Sequence, residues 1–210
     1  MIAYLTDPAE IYRRSFATIR AEVDLAGVPR DLESTVVRLI HACGMTDIVG
    51  DLRWSPDVAT AARTALASGA AVLTDARMVA DGIGEPKGRR RNQILCLVDA
   101  PEAAERACAL GTTRSAAAVD LWRPHLAGAV VAIGNAPTAL FRLLECLDDG
   151  APRPAAILAF PVGFVGAAEA KAELVANARG VPYLTLLGRR GGSALAAAAV
   201  KALMRDGDEP

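Results

Sequence analysis

From residue 70 onward, short apolar runs alternate with longer stretches in which apolar residues return every three or four positions. The runs AAVLT (70–74), QILCLV (93–98), AVVAIG (129–134), AAILAF (155–160) and PYLTLL (182–187) are nearly continuous in apolar character. A strand reads that way when both of its faces are covered. Helical periodicity between them predicts helices near 102–110, 113–126, 137–148, 167–178 and 193–205. This βα alternation predicts a mostly parallel sheet with right-handed crossovers and flanking helices. The first 69 residues differ: helical segments near 8–26, 31–43 and 57–68 are broken at Gly27 to Pro29, at Gly44 and at Ser55-Pro56. With no low-complexity linker, they predict an N-terminal helical extension over 1–69 packed on a 70–205 α/β core, in a single domain spanning 1–210.

Composition narrows the partners. At 52% hydrophobic and only 4% aromatic residues, the core is expected to bring Ala-, Val-, Leu- and Ile-rich elements close together. A formal charge of -1 argues against bulk nucleic-acid binding, which selects strongly basic surfaces. The N-terminal MIAYLTDPAEIYRRSF carries acids and a proline where a signal peptide has an apolar run, and no stretch is long and apolar enough to suggest a membrane span. A cytosolic protein is expected. Cys43, Cys96, Cys108 and Cys146 are far apart and form no C-x-x-C pair, so reduced, buried thiols are expected. Only His41 and His125 accompany them, which gives no local zinc signature.

In an open parallel sheet, ligands collect where strands end and helices begin. Four predicted strands end in polar or glycine-bearing turns: TDARMVADG, GNAPT, FPVGFVG and GRRGGS. Their glycines let backbone N–H groups approach a ligand, and helix N-termini favour carboxylate or phosphate oxygens. In GNAPT, Asn135 precedes a proline suited to a first helical turn, which leaves nearby amides to donate. Each turn taken singly is better explained as a mere turn; their coincidence on one rim is the functional signal. GIGEPKG (82–88) has the glycines of a phosphate loop but does not follow a strand, and Pro86 interrupts the helix that such a loop opens. There is no G-x-S-x-G elbow, Ser115 lies within a helix start capped by Thr113, and His125 after Pro124 suits a cap or surface position.

A helical wheel over 31–43 puts Leu32, Val36, Leu39, Ile40 and Cys43 on one side and Ser34, Arg38 and His41 roughly opposite. Arg38 and His41, three apart, are neighbours on the helix surface. That face is either solvated or the wall of a pocket.

The segments IYRRSFATIR (11–20), VRLIHACG (37–44), DARMVADGI (75–83), TTRSAAAV (112–119), VVAIGNAPTALF (130–141), PVGFVGAAEAK (161–171) and GRRGGSALAAAA (188–199) resemble, in order and across nearly the whole chain, the precorrin-8X methylmutase family. The resemblance implies a flavodoxin-like fold with an N-terminal extension, a homodimer with sites near the subunit interface, and an isomerase of cobalamin biosynthesis. That isomerase moves a methyl group from C11 to C12 of a corrin precursor to give hydrogenobyrinate. It also implies that His41 handles the proton. Among the remaining matching positions, Arg38, Arg114 and Arg189 suit the many carboxylates of such a substrate, because a guanidinium binds carboxylate in a bidentate fork. Ser15, Asp75, Met78, Asn135, Pro137, Gly163, Phe164, Gly191 and Gly192 also stand at motif positions. Phe164 would lie against a flat ring or in the core. A sigmatropic methyl shift needs no metal or redox cofactor, so none is expected. An imidazole that titrates near working pH suffices to move a proton. The basic run GEPKGRRR (84–91) departs from the family pattern and is either a solvated loop or an extra carboxylate contact. The alternatives are a protein that binds a tetrapyrrole or another polycarboxylate without turning it over, and a flavin or nucleotide binder on the same fold.

Overall fold

The computed structural model describes residues 2, 4–84 and 92–205; the basic run at 85–91 lies outside the described residues. Helix α1 (Pro8–Glu22) starts where the Asp7 carboxylate accepts the Ala9 N–H and Pro8 sets the first-turn backbone. Helix α2 (Arg30–Cys43) ends at Gly44, whose φ of 69° makes the left-handed cap. A 3₁₀ turn (Thr46–Asp51) leads into β1 (Leu52–Trp54) and α3 (Val58–Ala67). The βα alternation then runs β2 (Val72–Thr74), α4 (Arg77–Ile83), β3 (Ile94–Cys96), α5 (Pro101–Leu110), α6 (Arg114–Asp120), β4 (Val130–Ile133), α7 (Pro137–Asp148), β5 (Ala156–Ala159), α8 (Ala167–Ala176), β6 (Tyr183–Leu186) and α9 (Ser193–Met204).

All five strands predicted after residue 70 are present within their predicted ranges, and β4 and β5 are buried at every position, as their unbroken apolar runs require. The strand order is β1-β6-β5-β4-β2-β3. Strands β2 to β6 are parallel, and counted among themselves they run 2-1-3-4-5, the flavodoxin-like order. The chain therefore reverses direction across the sheet between β2 and β4, opening a crevice at their carboxyl ends.

Three features depart from expectation. The first 69 residues are not only helical: β1 pairs antiparallel with β6, Leu52 opposite Leu186, and extends the sheet by an edge strand. Residues 77–83, expected as loop, form α4. The segment expected as one helix over 113–126 is α6 followed by a 3₁₀ turn at Arg123–His125, where Pro124 stops an α-helix. His125 is exposed there, and the Thr113 hydroxyl caps α6 by accepting the Ala116 N–H. Of the cysteines, Cys146 is buried and Cys43 and Cys96 are half-buried, but Cys108 is exposed; all four are unpaired.

Helices α2, α3, α4 and α9 cover one face of the sheet, and α6, α7 and α8 pack over the other. The alanines of α9 make close packing possible: a Cβ on Gly82 of α4 would stand 2.9 Å from the Ala197 Cβ. Among the described residues no helix is long and apolar enough to cross a membrane.

Candidate active site

On α1, Tyr12, Ser15 and Phe16 are spaced three and four apart and share one face, which packs against α2. That face meets His41. The Ser15 Oγ lies 2.8 Å from His41 Nδ1, the Tyr12 ring 5.0 Å from the imidazole at 37°, and the Phe16 ring 5.3 Å away, edge-on at 89°. The Arg38 guanidinium stands over the Phe16 ring at 5.1 Å. With Nδ1 occupied by the hydroxyl, Nε2 is the ring nitrogen left for a ligand. A serine hydroxyl donates to a neutral Nδ1 and accepts from a protonated one, so the ring keeps its orientation through a change of charge.

His41 and Arg38 line a cavity of about 290 Å³ with Tyr12, Gly82, Ala194, Lys201 and Arg205. Of the face opposite the core stripe of α2, Arg38 and the exposed His41 line this cavity and Ser34 does not. Burial, and then the nearby Arg205 guanidinium, push the Arg38 pKa down from its usual value. Arg38, Lys201 and Arg205 therefore concentrate positive charge beside the His41 imidazole. Tyr12, Phe16, Lys201 and Arg205 escaped the sequence reading, although the aromatic spacing on α1 was a visible signal for the first two.

A second group occupies the carboxyl rim of the sheet. Asn135 and Pro137 follow β4, Gly163 and Phe164 follow β5, and Arg189, Gly191 and Gly192 follow β6. The loops join directly: the Gly163 N–H donates to the Arg189 carbonyl at 3.1 Å, and Val162 N–H to the Asn135 carbonyl at 3.4 Å. The Arg189 guanidinium lies 5.3 Å from the centre of the Phe164 ring. Phe164 is 84% exposed, which settles its place: it is a rim residue and not a core aromatic. Arg114 opens α6 next to Thr113, whose hydroxyl is 2.7 Å from that of Thr138, and so comes to the same rim as Pro137. Met78 is exposed on the first turn of α4. Ala194 in the cavity wall follows Gly192 by two residues, which carries the His41 cavity to the foot of this rim.

Asp75 has a different place from the one expected of a ligand contact. It sits fully buried at the β2–β4 reversal, and its carboxylate accepts the N–H groups of Gly134 at 2.8 Å, Asn135 at 3.0 Å and Ala136 at 2.6 Å. Burial pushes its pKa up and the three amides oppose that. Both oxygens accept, an arrangement that favours the ionised form against the cost of burial. The Gly134, Asn135 and Ala136 amides of GNAPT, expected to be open to a ligand, are therefore already satisfied, and Asp75 braces their loop. Gly134 is needed there, because a Cβ would lie 2.8 Å from Val79 Cγ2 and from the Ser193 Cα.

Residues 10–206 match the family model described as precorrin-8X methylmutase. The chain belongs to the precorrin-8X methylmutase family. A precorrin-8X methylmutase of Pseudomonas aeruginosa is 61% identical over 203 residues, covering 97% of this chain and 98% of that protein. One from Sinorhizobium is 51% identical, covering 97% of each. A cobalt-precorrin-8 methylmutase of Priestia megaterium is 32% identical, covering 93% of this chain and 87% of its own. The crystal structure of the methylmutase from Thermus thermophilus superimposes with a TM-score of 0.85 at 38% identity, covering 93% of this chain and 94% of that one. These methylmutases are isomerases, and nothing among them favours a role in binding alone.

Proposed function

We propose that this methylmutase family member moves the methyl group from C11 to C12 of precorrin-8X to give hydrogenobyrinate, with His41 as the group that handles the proton. The observation carrying this reading is the imidazole whose Nδ1 is held by the Ser15 hydroxyl in a cavity walled by Arg38, Lys201 and Arg205. A proton lent by Nε2 to the macrocycle draws electron density out of the ring system next to C11 and C12. The C11–methyl bond breaks as the C12–methyl bond forms, and the proton returns to Nε2, with the fixed imidazole keeping donor and acceptor aligned. Peripheral carboxylates of the substrate are matched to Arg38, Arg114 and Arg189 as bidentate partners, with Phe164 and Met78 offering apolar contact to the ring. Gly163, Gly191 and Gly192 keep the rim backbone within reach of the ligand, and Asn135 and Pro137 shape the loop that Asp75 braces.

The metal-free substrate is the better fit, because relatives at 61% and 51% identity are named for precorrin-8X and the one at 32% for cobalt-precorrin-8. A homodimer with its site near the interface completes the reading. Exposed Phe164, Val165 and Met78 are apolar surface on which a second subunit can rest. The exposed thiol of Cys108 suits the reducing cytoplasm.

The decisive measurement is an anaerobic absorbance assay of precorrin-8X and its cobalt form with the unaltered protein and His41→Ala. The unaltered enzyme is expected to convert the metal-free substrate faster, and the variant to lose about 10²–10⁴-fold in kcat. Full conversion by His41→Ala would remove the imidazole from the mechanism.

A further inference from the structure

We infer that Lys171 is a positioning residue for this reaction: its buried amino group ties the 160–166 loop to the 187–192 loop and fixes Phe164 and Arg189 opposite each other on the rim. Lys171 lies on α8, in the layer beneath those loops, and is fully buried. Its Nζ donates to the Pro161 carbonyl at 3.0 Å and to the Arg190 carbonyl at 2.6 Å, one acceptor from each loop. Among the described residues no carboxylate bonds to it.

The same two loops are zipped by backbone bonds on either side of the lysine. The Gly192 N–H donates to the Phe160 carbonyl at 2.8 Å and the Gly163 N–H to the Arg189 carbonyl at 3.1 Å. The approach is so close that a Cβ at Gly191 would stand 2.3 Å from the Phe160 oxygen and 2.6 Å from the Pro161 oxygen. Carbonyls of both loops therefore gather about the lysine amine, where oxygens repel one another unless a donor stands between them. An apolar side chain of similar length would fill the volume without the cost of burying an amine. What only the lysine supplies is two N–H donors to two loops.

The loop after β6 is held from another direction as well. The Arg190 guanidinium pairs with Asp47 at 2.6 Å and Asp51 at 2.7 Å, which anchors it to the 3₁₀ turn before β1. With the Arg190 carbonyl on Lys171 and its side chain on the acids, the neighbouring Arg189 is directed to Phe164 at the surface. Lys171 thus acts through Arg189 and Phe164, and the inference rests on the proposed function in taking that rim as the ligand-facing one.

The test compares Lys171→Met and Lys171→Arg with the unaltered protein, using hydrogenobyrinate binding, anaerobic turnover of precorrin-8X, and amide hydrogen exchange. In Lys171→Met the Gly163 and Gly192 amides are expected to lose protection while Val131 and Ile157 in the central strands keep theirs. Hydrogenobyrinate affinity and KM are expected to worsen by about tenfold or more with kcat within about threefold, the pattern of lost ligand positioning. Lys171→Arg, which restores donors, is expected to recover part of the affinity. Unchanged rim protection with unchanged affinity, or affinity lost only in proportion to the unfolded fraction, overturns the inference. Should Lys171→Met fail to fold, the unaltered protein decides: bound hydrogenobyrinate is expected to raise protection at Gly163 and Gly192, and no change there overturns it. If the unaltered protein neither binds hydrogenobyrinate nor turns over precorrin-8X, the proposed function fails, while exchange in Lys171→Met still reads whether the lysine braces the loops.

Discussion

In the function proposed above, the chemistry rests on one imidazole and one hydroxyl. Ser15 holds His41 at Nδ1 from a separate helix, 26 positions earlier in the chain. A net side-chain hydrogen bond is worth about 0.5–1.5 kcal/mol, so Ser15→Ala is expected to lower kcat by about threefold to tenfold with KM little changed. Steady-state kinetics under anaerobic conditions measure the split, and a rise in KM alone would assign the serine to substrate binding. Asp75 tests the opposite kind of residue. Asp75→Asn turns one acceptor into an NH₂ group facing the Gly134 to Ala136 amides, and loss of charge-assisted bonds is expected to cost about 2 kcal/mol in urea unfolding. The wheel over α2 made His41 legible as lying off the core stripe, but not the role of Asp75. Its partners lie about 60 positions away and meet it only because β4 is placed beside β2.

At the level of elements, burial of Lys171 within the β5–α8 and β6–α9 connections pushes its pKa down to about 8 from an ordinary 10.5. Between those values the unfolded chain holds the proton and the folded chain releases it, so this residue makes stability rise with pH across pH 8 to 10.5. Below pH 8 both states are protonated, and the full cost of burying the charge is present. A neutral amine still has two N–H donors for the two carbonyls, so the brace survives the titration. Urea unfolding at pH 7.5 and pH 10 is expected to show the unaltered protein gaining on Lys171→Met as pH rises, and parallel curves would place the titration elsewhere. The elements invisible to pattern reading are the ones tertiary contacts define. β1 has three residues with Arg53 at its centre, too few to show a period, and is recruited by β6. Helix α4 is seven residues long with Gly82 inside it, a poor helix former that is kept because only a glycine fits against Ala197 of α9.

At the scale of the whole molecule, the β1–β6 pairing joins the N-terminal segment to the parallel sheet. Because β1 completes the sheet edge and α2 packs on α9, the first 69 residues share one core with the βα segment, and their boundary is a change of pattern in the sequence and not a seam in the fold. The two tryptophans stand on either side of that boundary. Trp54 is half-buried at the end of β1, and Trp122 is fully buried between α6 and the sheet, in the layer opposite α2 and α9. Removing the N-terminal segment would bare the edge of β6 and the apolar surface under α2, so neither part is expected to be stable without the other. Trp122→Phe leaves Trp54 as the sole indole reporter of the N-terminal part, whereas Trp54→Phe leaves Trp122 to report on the far layer. The Trp122 change is the more costly, since it opens space in a packed core, and is expected to lower the urea midpoint by an amount equivalent to about 1–2 kcal/mol. Within each variant, the fluorescence transition and the far-ultraviolet circular dichroism transition are expected to coincide at a fixed protein concentration, as for a single cooperative unit. A Trp54 transition that precedes the loss of helical signal would mean that the N-terminal segment leaves the sheet as a separate body. It would then carry Ser15 and His41 away from the rim while the parallel strands stay folded.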